Sequence, residues 1–347
     1  MKDFNKILDE YGIEIENELE RFFQKKIGEA GGYHEFIGDV YKAVGEYVLR
    51  KGKRLASCST LLVYKGYAGE IDEKILNVCV GIELYRHGIL IHDDLIDMDD
   101  LRRGGKAFHR IFGETSGRFG EGISVFTGNI LYALSLETIL KSGFSKNLIN
   151  EAVSLIDSDY SAVNESQILD LLFECEEPDV EEWYQMASKR ASSLFRTTML
   201  TGSILAEAGM NENKILEGIA SNIGYAFDIQ DDIIGTFATE EEYGRPPTRD
   251  IISGKKPLHV VYALQRAPAE DVRKLREVLG GRGIKEEDIA DAKEILEKYG
   301  LEQAKERSRE HAHKATDLIN KTEMSKETKE FFIGFINYIT ESLEWYR

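Results

Sequence analysis

An all-α fold is predicted for this chain, and three observations predict it. Proline is scarce, with five in 347 residues. No segment sustains the Val/Ile/Thr alternation of a strand. Long stretches of Leu, Ala, Glu, Lys and Ile dominate instead, which favours helices almost throughout. With 42% hydrophobic residues, the chain is long enough for one large core or two smaller ones. It shows no low-complexity linker and no short-period repeat, so a single domain over 1–347 is expected.

A first helix is expected over residues 2–27, closed by Gly28 and the Gly31-Gly32 pair, and a second over 34–50. A third begins after Gly52, and a fourth runs from Asp72 into the acidic residues Asp93 to Asp97. Further helices follow over 119–141, 147–174, 180–209 and 212–235, then shorter ones, the last carried by FFIGFINYITESLEWY. Two stretches read as loops: 98–118, and 236–254 with its Pro246-Pro247 pair. Each follows an acidic helix end, and loops mounted on rigid helices are where function concentrates.

The net charge of −18 and the lack of any basic run argue against a nucleic-acid partner. An acidic surface serves solubility. It also means that an anionic substrate must be drawn in by locally placed Lys, Arg or metal ions. Cys58, Cys79 and Cys175 are odd in number and form no CxxC pair, which points to reduced thiols and a cytoplasmic location. The charged, amphipathic start MKDFNKILDEYGIEIENELERFF does not read as a signal peptide. No apolar run is expected to reach the roughly 20 residues that span a bilayer.

Chemistry concentrates in two acidic clusters. The first reads LIHDDLIDMDDLRRGG. Asp93 and Asp97 share a helical face, with Asp94 roughly 100° round from Asp93. Leu90, Ile91, Leu95 and Ile96 flank them. Like charges four residues apart destabilise a helix, and more so inside an apolar frame, unless a cation resolves the repulsion. Oxygen-only donors of this kind suit Mg²⁺. Arg102 and Arg103 follow at once and can grip phosphate oxygens. The second cluster reads GYAFDIQDDIIG, in which Asp228, Asp231 and Asp232 share a helix face within the same kind of apolar frame. Its basic loop supplies Arg245, Arg249, Lys255 and Lys256. Two such units suggest a pair of metal-binding walls with diphosphate between them.

These motifs, DDLID followed by RRG and FDIQDDIIG, with GKR upstream and DIISGKK downstream, resemble the trans-type prenyl diphosphate synthases, such as the farnesyl and geranylgeranyl diphosphate synthases. The resemblance runs from Gly52 to Lys256 in the right order, and the pairing of the two motifs is specific. It implies an orthogonal helical bundle around a large central cavity and a homodimer. It also implies a Mg²⁺-dependent condensation of isopentenyl diphosphate with an allylic diphosphate. In the family, three metal ions stabilise the departing pyrophosphate, the allylic C–O bond ionises, and the isopentenyl double bond attacks the cation. No nucleophile or histidine base is required, so His92 and His109 are expected to be structural.

Carried over by resemblance, Asp93, Asp94 and Asp97 match the first metal motif, and Asp231 and Asp232 the second. Asp93, Asp94, Asp97 and Asp231 are the expected metal ligands, and Asp232 and Arg190 join the catalytic set. Lys53, Arg54 and Arg103 fall to isopentenyl diphosphate and Arg102 to the allylic diphosphate, Lys255 matches the lysine after the second motif, and Arg86, Arg190, Asp228, Arg245 and Lys255 join the substrate-binding set. Gln167 and Asp170 fit a Gln-x-x-Asp near the reacting centre. The chain departs from the family pattern at several places. The arginine three after the GK lysine is Ala56, and the His or Gln seven before the first aspartate is Arg86, which reads as a relocated cation. A Lys-Thr pair becomes Arg190-Ala191. A glutamine becomes Asp228, the third aspartate of the second motif is Gly235, and the lysine of a Gly-Lys-Pro becomes Arg245. Mostly the charge is kept. At the positions where a bulky aromatic floors the product pocket in short-chain members stand Gly88 and Ile89, with Tyr85 about one helical turn deeper. A C20 to C25 product is therefore expected. A terpene cyclase-like enzyme and a non-catalytic partner subunit are the alternatives. Lys53, Arg54 and Arg103 argue against the first, and the intact first motif against the second.

Overall fold

A computed structural model describes residues 4–50, 52–239, 249–281 and 283–343. Almost all of it is helical, and the only strands among the described residues are two of two residues each. In order come α1 (Phe4–Tyr33), α2 (Glu35–Leu49), α3 (Leu55–Ala68), α4 (Glu73–Ile96), α5 (Phe108–Ile111), α6 (Gly117–Leu140), α7 (Lys146–Cys175), α8 (Val180–Ala187), α9 (Ala191–Leu205) and α10 (Met210–Phe237). Shorter helices then lead to Glu302–Lys321 and Lys326–Ser342. The chain divides into two compact units. One comprises Met1–Ser154, Thr201–Gly209 and Met324–Thr328; the other comprises Leu155–Leu200, Met210–Glu323 and Lys329–Arg347.

In the first unit α4 is the central element, buried along most of its length. Asp72 caps its start by accepting from Ile75 N at 3.0 Å. The cap satisfies one of the amides that the first turn leaves unpaired. α6 starts in the same way, Ser116 Oγ accepting from Phe119 N at 3.2 Å. α4 and α6 approach each other through glycine: a Cβ on Gly88 would lie 3.0 Å from Gly128 O. His92 Nε2 lies 3.2 Å from Val125 O, so that ring serves the same helix pairing.

Three boundaries differ from expectation, each for a physical reason. α1 runs through Gly28, Gly31 and Gly32 to Tyr33. Here glycine admits a neighbour rather than ending the helix, since a Cβ on Gly38 of α2 would sit 3.0 Å from Gly31 Cα. The stretch after α4 is no simple loop. Leu101–Arg102 pairs antiparallel with Gly105–Lys106, and Arg103 and Gly104 turn the corner at φ +52° and +76°. Positive φ at both central residues is the backbone twist that suits a two-residue hairpin. The expected helix 180–209 is broken at Ser188–Arg190. Finally, α6 has the length and composition of a membrane-crossing helix, a test that the core helix of a soluble protein also passes. Of its most apolar window, 39% is buried within the structure.

In the second unit, α8 starts with a reciprocal cap. Asp179 accepts from Glu182 N and Glu182 from Asp179 N, both at 2.9 Å. The α8 residues Trp183 and Met186 then pack with Ile229 and Ile233 of α10 and with Leu258 and Val261. That core fixes the α10 segment that carries the second acidic cluster.

Candidate active site

The first cluster lies at the C-terminal end of α4, in the first unit. Its three aspartates differ. Asp93 and Asp97 are half-buried, whereas Asp94 is fully buried. Tyr47 Oη donates to Asp94 Oδ2 at 2.7 Å, and the Arg102 guanidinium pairs with its other oxygen. Burial raises the Asp94 pKa, with Arg102 and Tyr47 opposing the rise. The same guanidinium reaches Asp93 at 3.3 Å and Asp99 at 3.5 Å. Arg50 lies over the Tyr47 ring at 5.1 Å and donates to the carbonyls of Arg102 (3.2 Å) and Lys106 (2.8 Å). The hairpin is thereby clamped to α2, and with it the two arginines that follow the motif. Asp94, expected as a metal ligand, has both oxygens committed within the protein in this structure.

Arg54 needs correction. It was expected to bind substrate, but its side chain is 1% exposed and paired with Glu83 at 3.3 Å and Glu16 at 3.1 Å. It also donates to Val48 O at 2.6 Å. Its role is to hold the turn that presents its exposed neighbour Lys53. Arg103 runs back along that turn, its Nη1 lying 3.1 Å from His87 Nε2. Arg86 is half-buried and near enough to Arg103 to lower the latter's pKa, though burial lowers it more. Lys53, Arg86 and Arg103 are thus brought into one neighbourhood.

The length-setting positions also move. Gly88, expected to leave the product pocket open, packs against the α6 backbone, where any larger side chain meets Gly128 O and Leu131. Ile89 is 9% exposed and Tyr85 1%, with the Tyr132 ring of α6 centred 6.5 Å from that of Tyr85.

The second cluster lies on α10, in the second unit, around one guanidinium. Arg190 sits in the break between α8 and α9, where a side chain can enter the cluster side-on. It reaches Asp232 at 2.9 Å, Asp228 at 3.2 Å and Asp170 at 3.6 Å. Ala191 N donates to Asp228 Oδ2 at 3.4 Å. Lys255 Nζ lies 3.4 Å from the other oxygen of Asp170. Burial raises the Asp228 pKa to about 6 and that of Asp232 to about 7, with Arg190 opposing both shifts. Asp231 is exposed and Gln167 half-buried. Arg245 lies outside the described residues. Lys256 is buried with its ammonium against the carbonyls of Phe173 and Gly254, so it anchors the loop that carries Lys255.

Sequence reasoning missed Tyr47, Arg50, Glu83 and His87 in the first unit, and it read Lys256 as one cation of a basic loop rather than as that loop's anchor. Only Glu83 and His87 carried a signal, being a carboxylate and an imidazole one helical turn apart on an otherwise apolar helix. Among the described residues no three His, Cys, Asp or Glu side chains converge as a ready-made metal cage. In the first unit Asp93 and Asp97 are half-buried, and in the second Asp231 is exposed. Carboxylate oxygens of this kind suit Mg²⁺, which keeps several waters and takes its remaining ligands from substrate phosphate.

A helical fold with two aspartate clusters, each threaded by an arginine and trailed by a lysine- or arginine-bearing loop, defines a class of enzymes acting on diphosphates. The polyprenyl synthetase family model matches residues 39–298. A short chain isoprenyl diphosphate synthase of Methanocaldococcus jannaschii is 31% identical over 77% of this chain and 78% of its own length. A geranylgeranyl diphosphate synthase of Saccharolobus solfataricus is 28% identical over 97% and 96%. The crystal structure of geranylgeranyl pyrophosphate synthase from Corynebacterium glutamicum, complexed with isoprenyl diphosphate and magnesium, superposes with a TM-score of 0.89 at 22% identity, covering 98% of this chain and 99% of that one. The chain belongs to the polyprenyl synthetase family.

Proposed function

We propose that this protein condenses isopentenyl diphosphate head to tail with an allylic diphosphate, releasing pyrophosphate and giving a C20 to C25 prenyl diphosphate. The observation that carries this reading is the repeated design of the two clusters. In each, one aspartate (buried Asp94 or half-buried Asp232) holds an arginine (Arg102 or Arg190) beside a more exposed aspartate (Asp93 or Asp231). Asp93, Asp97 and Asp231 would hold magnesium, with three ions expected by family resemblance. Bound magnesium supplies Lewis-acid stabilisation of the charge that grows on the departing pyrophosphate. Arg102, Arg190 and Lys255 are assigned to the allylic diphosphate, where fixed cations favour the ionised state of the C–O bond. Lys53, Arg86 and Arg103 are assigned to isopentenyl diphosphate, and this second anion site distinguishes a synthase from a cyclase.

A homodimer and a cytoplasmic location complete the proposal. α6 supports the dimer by exposing Phe119, Phe126 and Ile130 to 38%, 70% and 37%, a stripe that a second copy would cover. The C20 end of the product range is supported by the geranylgeranyl-named relative. With Gly88 occupied by helix packing, Tyr85 is the side chain on α4 left to limit the product, and Tyr85→Ala should lengthen it. The test is incubation of purified protein with Mg²⁺, labelled isopentenyl diphosphate and each allylic primer, followed by chromatography of the dephosphorylated alcohols. A C20 to C25 alcohol is expected. Cyclised hydrocarbon, or no product without a second protein, would refute the reading.

A further inference from the structure

A chain of buried contacts runs beneath the cations of the first unit. Glu83 lies inside α4 with 2% exposure. One of its oxygens accepts from Ser57 Oγ at 2.6 Å, and the other pairs with Arg54 at 3.3 Å. Arg54 stands in the left-handed region at φ +49°, at the turn that carries Lys53. One helical turn beyond Glu83, His87 is 1% exposed, and its Nδ1 lies 2.7 Å from the Glu83 carbonyl oxygen. A carbonyl can only accept, so Nδ1 carries the proton. Arg103 Nη1, 3.1 Å from Nε2, can only donate, so Nε2 presents its lone pair. Both nitrogens are thereby fixed in the neutral ring. Arg103 needs such an anchor, because its backbone is also left-handed, at φ +52°. Its guanidinium lies on Gly52, where a Cβ would come within 2.8 Å of Cζ and Nη1.

We infer that Glu83 and His87 are positioning residues for isopentenyl diphosphate binding: Glu83 holds the Arg54 turn that presents Lys53, and His87 accepts from Arg103 to fix the direction of its guanidinium. The inference rests on the proposed condensation and adds residues that need not touch the substrate. A neutral acceptor is suited to this task. A carboxylate at position 87 would neutralise Arg103, whereas an imidazole orients it and leaves its charge for the diphosphate. Burial, which pushes the His87 pKa down to about 3, keeps the ring neutral throughout the working range.

Three variants separate positioning from packing. His87→Leu keeps bulk and removes the acceptor. His87→Gln restores an acceptor oxygen. Gly52→Ala, in an exposed turn, pushes the guanidinium off its seat and serves if His87→Leu does not fold. Michaelis constants for both substrates, calorimetric titration with isopentenyl diphosphate alone, and melting temperatures are measured on each. His87→Leu and Gly52→Ala should each raise the Michaelis and dissociation constants for isopentenyl diphosphate about tenfold, the worth of one hydrogen bond to a charged group. The constant for the allylic substrate should stay within about twofold, and His87→Gln should recover most of the loss. Equal rises for both substrates, unchanged isopentenyl diphosphate binding in His87→Leu, or identical behaviour of the Leu and Gln variants would overturn the inference. A wild type that binds isopentenyl diphosphate yet condenses nothing would refute the proposed reaction instead, and the titration would still decide the positioning role.

Discussion

At the end of α4 the arginine that neutralises the buried aspartate comes from the hairpin directly after it: Arg102 is eight residues from Asp94. On α10 it comes from the break between α8 and α9: Arg190 is 42 residues from Asp232. The first arrangement also has a neutral partner, Tyr47 Oη, on the buried carboxylate. In the second the neutral donor is only a long contact from Ala191 N to Asp228 at 3.4 Å, while three aspartates share Arg190 and one of them also meets Lys255. The first cluster is therefore a local design reinforced by hydrogen bonds. The second is a tertiary design that depends on a single guanidinium, and its carboxylates are the more strongly perturbed, Asp228 to about 6 and Asp232 to about 7. An arginine held in place by a buried acid is a pre-organised anion contact in both cases, but only the second concentrates its stability in one side chain.

The largest expected effect treats the clusters alike. Asp93→Ala or Asp231→Ala should lower turnover on the order of a thousandfold while leaving the circular dichroism spectrum unchanged, since open carboxylates act on developing charge rather than on folding. Half of the wild-type rate in either variant would break the symmetry. The next effect separates them. Arg190→Ala strips three buried or half-buried carboxylates of their common cation and should cost about 3–5 kcal/mol in denaturant titrations, the range for removing one partner of a buried pair. Arg102→Ala should cost visibly less, because Asp94 keeps Tyr47. Equal losses would mean that the tyrosine contributes nothing.

A smaller effect follows from the sign of the Asp232 shift. Its pKa in the folded protein lies above the ordinary 3.8, at about 7, chiefly because burial disfavours the charge. Between those values the folded state binds the extra proton, so this group's contribution to stability falls as pH rises from about 4 to 7 and then levels off. Metal-free Asp232→Asn should accordingly gain stability relative to wild type at pH 8, with the advantage vanishing near pH 4. A difference that does not change with pH would contradict the shift.

The contrast between the clusters also explains what could be read from sequence. The all-helical fold and both acidic clusters were legible because each rests on local spacing: aspartates three and four residues apart on an apolar helix. The loop expected at 98–118 carries a hairpin and a short helix, and of the loop expected at 236–254 residues 240–248 lie outside the described residues and 249–253 are helical. The misreadings came from tertiary context. Arg54 looks like a substrate ligand beside Lys53 until Glu83, from another helix, claims it. Gly88 looks like open space in a pocket until Gly128 of α6 is seen against it. Gly28, Gly31 and Gly32 looked like a helix stop, yet α1 runs through all three and Gly31 lies against Gly38 of α2. The break at Ser188–Arg190, on which the second cluster depends, carries neither glycine nor proline to announce it.

The claim that each cluster divides its aspartates between an open site for metal and a buried anchor for arginine is tested most directly by magnesium titration of the condensation rate in four variants: Asp93→Asn, Asp231→Asn, Asp94→Asn and Asp232→Asn. The account predicts that the first two lose turnover that no magnesium concentration restores. The last two should keep the wild-type half-saturating magnesium concentration and instead bind the allylic diphosphate more weakly, through a loosened Arg102 or Arg190. Asp94→Asn with the same metal defect as Asp93→Asn would contradict the division.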